Sequence, residues 1–234
     1  MVNRIKTCFN IFLISFIIIG FMTKVSADIN KRSKDELVYT IKRYINIAEL
    51  LGRSSKKRVE YFDRASKLSK DLIEYYPDDD GGYAYLAYSL GSITKEVPFY
   101  KKISVAKEIK KSIDMALSIN KDNHLAWFVA GMFYRESSKI SGIQRKLAEK
   151  YLHDVIRDAS FEKAIYCFNK AIELNKDSIQ YRYELAKTYQ DQGRKEIALI
   201  EYKRIIAIQT NEERDIIYQH KAQMQLKKIS SKNT

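Results

Sequence analysis

The feature that most constrains the fold is a repeat in the C-terminal half of the chain. Ala164 and Ala198 are 34 residues apart, and so are Phe168 and Tyr202. Spacings of three and four residues place the small and aromatic residues of each segment on one face of a helix. The polar stretch 175–178 reads as the turn between two units. A period of this length predicts pairs of antiparallel helices that stack on their neighbours and bury a continuous core.

A 34-residue period with paired small and aromatic residues is typical of the tetratricopeptide repeat. The composition favours long helices and few loops, because the 234 residues include only eight Gly and two Pro and are 45% apolar. The predicted fold class is therefore all-α, a tetratricopeptide-repeat solenoid of antiparallel helix pairs over residues 34–230. The repeats are predicted at approximately 37–79, 80–123, 124–178 and 179–210, and a C-terminal capping helix follows at 211–230.

The third repeat has the clearest first helix. Trp127, Ala130, Gly131 and Tyr134 occupy its four signature positions. We expect Gly131 to lie where the two helices of this unit approach most closely, because a residue without a Cβ allows close contact.

An insertion follows this helix. The small residue of the partner helix is expected at position 143, but the matching residue is Ala164, so 21 residues are inserted. Within the insertion, Ile143, Leu147, Tyr151 and Val155 recur at steps of four residues. This spacing predicts an additional, inserted helix rather than a disordered loop.

The first 27 residues have the order of a secretory signal. Arg4 and Lys6 precede the uncharged stretch 7–23, and Val25-Ser26-Ala27 then offers small residues at a signal-peptidase site. An uncleaved membrane anchor is the alternative. A spanning helix needs about 20 apolar residues, and this run is only slightly shorter. Residues 1–27 are therefore predicted to be a signal peptide or an N-terminal membrane anchor. The protein would be exported, periplasmic or extracellular if the signal is cleaved, and membrane-anchored if it is not.

The order of these segments resembles the regulator of microtubule dynamics family, over roughly residues 60–230. The matching features are His124, Gly131, Tyr134, Gln144-Arg145-Lys146, Phe161-Glu162-Lys163-Ala164, Leu185-Ala186-Lys187-Thr188-Tyr189 and Glu212-Glu213-Arg214-Asp215. The insertion departs from the family pattern, because it lacks a proline-containing stretch and an aromatic residue before the Arg-Lys pair. This plain form is similar to bacterial relatives, for which microtubules are not the expected partner. The resemblance implies a helical-repeat protein of the regulator of microtubule dynamics type.

Sequence motifs of catalysis, metal binding and cofactor binding are missing. There is no Gly-rich phosphate loop, no Cys-x-x-Cys and no Gly-x-Ser-x-Gly, and the three His residues are far apart. We therefore expect no enzyme activity, no metal and no cofactor. Signal cleavage would remove Cys8 and leave Cys167, which we expect to be a buried small apolar residue.

The net charge of +13 bears on the partners. Lysines such as Lys107, Lys110 and Lys111 are scattered over helix faces, without the stacking aromatic residues of a strand-binding groove. We therefore expect no nucleic acid. An acidic protein or peptide and an anionic membrane surface are the partners that the charge favours.

The concave face of such a solenoid is lined by positions two, five, nine and twelve of each first helix. The predicted partner-binding residues are Leu125, Phe128, Met132, Arg135, Gln180, Tyr183, Lys187 and Gln190. This surface predicts a non-catalytic protein-binding scaffold, with Arg135 and Lys187 as the charged contacts of an extended or helical peptide. The alternative is a carrier of a lipid or small hydrophobic ligand in a groove under the inserted helix, near Phe128 and Met132. A closed apolar cavity would favour the carrier and an open groove the scaffold.

Overall fold

The computed structural model describes residues 32–52 and 55–231, and these residues form ten α-helices and no β-strand. The helices are α1 Lys34–Leu50, α2 Lys56–Tyr75, α3 Asp80–Ser92, α4 Phe99–Ile119, α5 His124–Ser138, α6 Gly142–Ile156, α7 Phe161–Leu174, α8 Ile179–Asp191, α9 Lys195–Ala207 and α10 Glu213–Ser230. The predicted signal or anchor, residues 1–27, lies outside the described residues. Of the ten helices, none is long and apolar enough to span a bilayer.

Helices α3, α5, α7 and α8 are each capped by the polar residue that precedes them. The side chains of Asp79, Asn123, Ser160 and Ser178 each accept a hydrogen bond from a backbone amide three residues further on. Such a cap satisfies one of the amides that a helix start leaves unpaired. Gly193 has φ +89° directly after α8, the left-handed conformation that ends a helix most readily at glycine.

Several helices that are close in sequence pack against each other as pairs. Helix α3 pairs with α4, α5 with α7, and α8 with α9, while α10 packs against both α8 and α9. Helix α6 lies between α5 and α7 in the sequence but packs against α4, so the insertion leaves the α5–α7 pair intact. The all-α solenoid, its inserted helix and its C-terminal capping helix are thus confirmed.

The contacts between residues divide the chain into two compact units, with the boundary after Glu36. Residues from Leu37 onward form one compact unit. Its larger apolar cluster draws on every helix from α1 to α5 and on α7 and α8, and includes Phe62, Phe128 and Phe168. A second cluster joins α8, α9 and α10 around Tyr202. Of the preceding unit the structure describes residues 32–36, where the Ser33 Oγ accepts a hydrogen bond from the Glu36 amide at 3.2 Å.

Helix α6 is confirmed, but two members of the apolar series that predicted it are largely exposed. Ile143 is 79% exposed and Tyr151 is 48% exposed. The face turned to the protein carries Ala148, Leu152 and Ile156, which pack against α4 and the flanking turns. The helix bends at Leu152, whose φ and ψ of −130° and 18° are not helical.

Candidate functional site

The first helices α3, α5 and α8 carry the predicted concave positions, and the chain itself covers much of this surface. Phe128, Arg135, Gln180 and Tyr183 are buried. Leu125, Met132, Lys187 and Gln190 are partly exposed. Four of the eight predicted partner-binding side chains are thus enclosed by other parts of the protein, and four are partly exposed.

Phe128 shows how the concave face is filled. Its ring stacks on Tyr181 of α8, with the ring centroids 4.2 Å apart. The ring centroids of Tyr88 on α3 and Phe168 on α7 lie 6.0 Å and 5.8 Å away. Phe128 is fully enclosed as a result, so it holds α3, α5, α7 and α8 together rather than meeting a partner. Leu125, on the first turn of the same helix, packs against the edge of the apolar core.

The two predicted charged contacts, Arg135 and Lys187, converge on one carboxylate. The Arg135 Nη1 donates hydrogen bonds to the Glu184 Oε2 at 2.6 Å and to the Glu184 backbone carbonyl at 3.1 Å. The Lys187 Nζ lies 3.8 Å from the same Glu184 Oε2. The Arg135 and Glu184 side chains are only 4% and 9% exposed. These charges serve to join α5 and α8, since a buried ion is tolerated when it is paired and hydrogen-bonded.

A polar cluster closes another part of the concave face, and we call Glu49, Tyr88, Gln180 and Arg214 the inner-face network. The Tyr88 hydroxyl donates a hydrogen bond to the Glu49 Oε1. The Gln180 Nε2 donates to the same Oε1 at 3.1 Å and to the Tyr88 hydroxyl oxygen at 2.8 Å. The Arg214 Nη1 lies 3.6 Å from the Glu49 Oε2. Burial and the neighbouring Glu49 carboxylate raise the pKa of Tyr88. The network joins α1, α3, α8 and α10.

The two remaining predicted residues of α8, Tyr183 and Gln190, face the C-terminal helices. The Tyr183 ring lies 5.9 Å from that of Tyr202 and 5.4 Å from that of Tyr218, between ring centroids. The Gln190 side chain accepts a hydrogen bond from the Tyr202 hydroxyl at 2.8 Å and donates one to the Gln225 Oε1 at 3.2 Å. Both residues therefore attach α9 and α10 to α8.

Burial shifts the pKa values of a histidine and a thiol in the described residues. His124 Nδ1 lies 2.8 Å from the Tyr181 hydroxyl, and burial, with a smaller contribution from Lys42, lowers the pKa of His124. Cys167 is buried as expected, and burial raises the pKa of its thiol to about 12. A thiol with this pKa is protonated at neutral pH and unreactive. Within residues 32–52 and 55–231, no group of three or more His, Cys, Asp or Glu side chains could hold a metal ion.

An apolar cleft of about 360 Å³ lies between α4, α5 and the inserted helix, and we call it the α4–α6 cleft. Met132, one of the predicted residues, lines it, whereas Phe128 does not. Its apolar walls include Ile103, Ala106, Ile109, Val129, Met132 and Phe133. The rim is polar and includes Lys95, Lys102, Glu136 and Gln144. Lys95, Glu136 and Gln144 are exposed, so the cleft opens to solvent.

The sequence predicts a groove under the inserted helix but not most of the residues that line it. The pattern that could have located the groove is a second apolar series at steps of four residues, Ala148, Leu152 and Ile156. It marks the face of α6 that packs on α4. The α4 residues Ile103 and Ala106 gave no signal of their own, because any amphipathic helix carries such residues.

The paired helices, the stacked repeats and the filled concave face define a tetratricopeptide-repeat protein. A thermophilic TPR protein of known structure from Thermus thermophilus superposes with a TM-score of 0.57. The match covers 90% of this chain and 95% of that one, at 15% sequence identity. At this identity the likeness establishes the fold and nothing more.

Within this class, the sequence matches the family described as "Regulator of microtubule dynamics protein 1-3" over residues 22–230. The chain belongs to the regulator of microtubule dynamics family. The resemblance found in the order of its segments is thereby confirmed.

Two curated relatives are similar to this chain. Regulator of microtubule dynamics protein 2 of Macaca fascicularis is 24% identical over 162 residues, which are 68% of this chain and 39% of that protein. The Homo sapiens protein of the same name is 24% identical over 169 residues, 70% of this chain and 40% of that protein. The chain thus aligns with about two fifths of the length of these relatives.

Proposed function

We propose that this protein is a non-catalytic protein-binding scaffold whose partner docks in the α4–α6 cleft. The observation that supports this most directly is the cleft itself, an apolar surface open to solvent. The family and the helical-repeat fold favour a protein-binding scaffold. Clefts of this size and lining take up apolar groups, while a few polar groups at the rim orient what binds.

The chemistry of the cleft indicates the kind of partner. The walls contributed by α4 and α5 accept apolar side chains, such as those along one face of an amphipathic helix. Lys95 and Lys102 at the rim favour a carboxylate beside those apolar side chains. Glu136, at the same rim, repels a carboxylate that is placed near it. The charges at the rim therefore favour one orientation of the partner in the cleft. A helical peptide with apolar anchors and an acidic residue near one end fits both requirements.

The experiment is a selection of helical peptides from a displayed library against the full chain, followed by affinity measurements on two variants. Ala106→Trp fills the cleft, whereas Lys107→Trp adds the same side chain at an exposed position of the same helix. We expect the selected peptides to lose about tenfold or more in affinity for the first variant only. Circular dichroism and the Tm serve to verify that both variants fold. Equal binding by both folded variants would place the protein-binding site elsewhere.

A carrier of a lipid or small hydrophobic ligand is the second candidate, because the same cleft is apolar and of ligand size. Its opening to solvent favours the scaffold, since a carrier protects its cargo in a closed cavity. A fluorescent long-chain fatty acid serves as the probe in the same pair of variants. Saturable binding that Ala106→Trp removes and Lys107→Trp retains would favour the carrier, and the absence of saturable binding would exclude it for this probe.

The localisation of the protein is a further part of the proposal. We propose that residues 1–27 act as a cleaved export signal or as a membrane anchor, on the basis of the basic start, the apolar run and the Val25-Ser26-Ala27 site. Mass spectrometry of the protein isolated from its own cells measures the mature N-terminus. A start at Asp28 is expected for cleavage, and an intact start in the membrane fraction for anchoring. An intact start in the soluble fraction would contradict both.

A further inference from the structure

Helix α6 has two apolar faces, and only one of them has a role in packing. Ala148, Leu152 and Ile156 are buried against the protein. On the other side, Ile143 is the most exposed large apolar side chain of the described residues, at 79%, and Tyr151 is 48% exposed. Packing within the chain accounts for the first face and leaves the second unexplained.

Basic residues accompany the exposed apolar side chains. Lys146 and Lys150 follow Ile143 by three and seven residues, so they lie on the same side of the helix. Both lysines are exposed, and the Lys150 Nζ lies 5.2 Å from the centroid of the Tyr151 ring. The one acid among residues 142–151, Glu149, is paired with Arg145 at 2.8 Å. The outer face is thus both apolar and positively charged.

The exposed position of these side chains favours a membrane over a protein as the partner of this face. Ile143 and Tyr151 are both exposed and lie about 12 Å apart along the axis of α6. A peptide would need a groove to bury these side chains, whereas the interfacial region of a bilayer deforms around side chains that project into it. Interfacial helices have this composition, with apolar residues and a Tyr at the acyl boundary and lysines that reach the lipid phosphates.

We propose that the outer face of α6 docks on an anionic membrane surface, with Ile143 and Tyr151 inserted at the interface and Lys146 and Lys150 against lipid phosphates. The net charge of +13 adds a long-range attraction to the same surface. The α6 residues that line the α4–α6 cleft are Gln144, Ala148 and Leu152, none of which is among these four. The two proposals can therefore fail independently.

The test uses the full chain with an environment-sensitive fluorophore on Ile143→Cys. Cys8→Ser removes one other thiol, and Cys167 is buried and will not react. The matched control carries the fluorophore on Ile200→Cys of α9, a position that is 50% exposed. Vesicles of phosphatidylserine and phosphatidylcholine in equal parts should shift the emission to the blue and allow quenching by lipid-borne quenchers at position 143 only. Vesicles of phosphatidylcholine alone should have little effect.

Charge removal gives the second measurement. Lys146→Gln with Lys150→Gln should weaken the response at position 143 roughly tenfold or more, since each lysine near an anionic surface contributes substantially to binding. Lys107→Gln with Lys111→Gln removes the same charge from α4 and should have a much smaller effect. A label at position 143 that stays exposed on phosphatidylserine vesicles would overturn the proposal, whether or not the chain binds them through another segment. So would shielding of that label without lipid as protein concentration rises, which would mean that the face meets another protein.

Discussion

At Gly131 the backbone of α5 lies close against the Phe168 ring of α7. A Cβ placed on this residue would lie 2.8 Å from two ring carbons of Phe168 and 2.9 Å from a third. Side chains essentially never approach this closely, and Phe168 is fully buried, so its ring has little room to move. The expectation of a close contact at Gly131 is confirmed, and the contact is between a backbone and an aromatic ring.

Gly131→Ala should therefore destabilise the protein by about 1–3 kcal/mol through overpacking, despite the better helix propensity of alanine. Gly91→Ala is the matched control, because Gly91 is also helical and a Cβ there would meet nothing within 4 Å. It should be neutral or stabilising by up to about 1 kcal/mol. Urea unfolding measures both changes. A shift of the same sign and size in the two variants would count against close packing at Gly131.

At the scale of helices, the Arg135–Glu184 pair is a buried polar connection between α5 and α8. Arg135→Met should cost about 3–5 kcal/mol, because it removes the cation that pairs with the buried Glu184 carboxylate at 2.6 Å. The double variant Arg135→Met, Glu184→Gln should cost clearly less than the sum of the two single variants, because each single change already removes the same interaction.

The exposed pair Lys170–Glu173, at 2.7 Å on α7, is the control for this cycle. Lys170→Gln should cost no more than about 1 kcal/mol, since exposed ion pairs contribute little. The free energy of unfolding in urea is the measurement. Strict additivity at Arg135 and Glu184 would mean that the two side chains do not stabilise each other.

At the scale of the whole molecule, Glu49 joins the first described helix to the last through the inner-face network. Glu49→Ala should leave the Tyr88 hydroxyl and the Gln180 amide without their shared acceptor, at a cost on the order of 2 kcal/mol. Hydrogen exchange should rise in the last turn of α1 and the first turn of α10. Glu74→Ala on α2, an exposed position, is the control. Unchanged exchange in both segments would mean that apolar packing alone holds α1 in place.

The helices, their pairing and the insertion could be predicted from the sequence because they depend on local periodicity. The alignment of Ala164 with Ala198 located the partner helix α7 beyond the insertion, and spacings of three and four residues identified each helix. The same local logic located Gly131, since a glycine at a small-residue position of a repeat marks a close contact. These features need only the chain near them in sequence.

The surface that remains open to a partner was decided by tertiary structure alone. Ile143 and Ala148 both belong to four-residue apolar series, and only the packing of α6 on α4 determines that the second series is buried. Phe128, Arg135 and Gln180 are similar cases, because their neighbours in sequence do not indicate what covers them. The covering residues are Tyr181, Glu184 and Glu49, respectively. Repeat positions define which way a side chain points, but burial is a property of what lies opposite. Those opposing residues come from helices up to 131 positions away, so their arrival depends on how the helices pack in three dimensions and not on any local pattern.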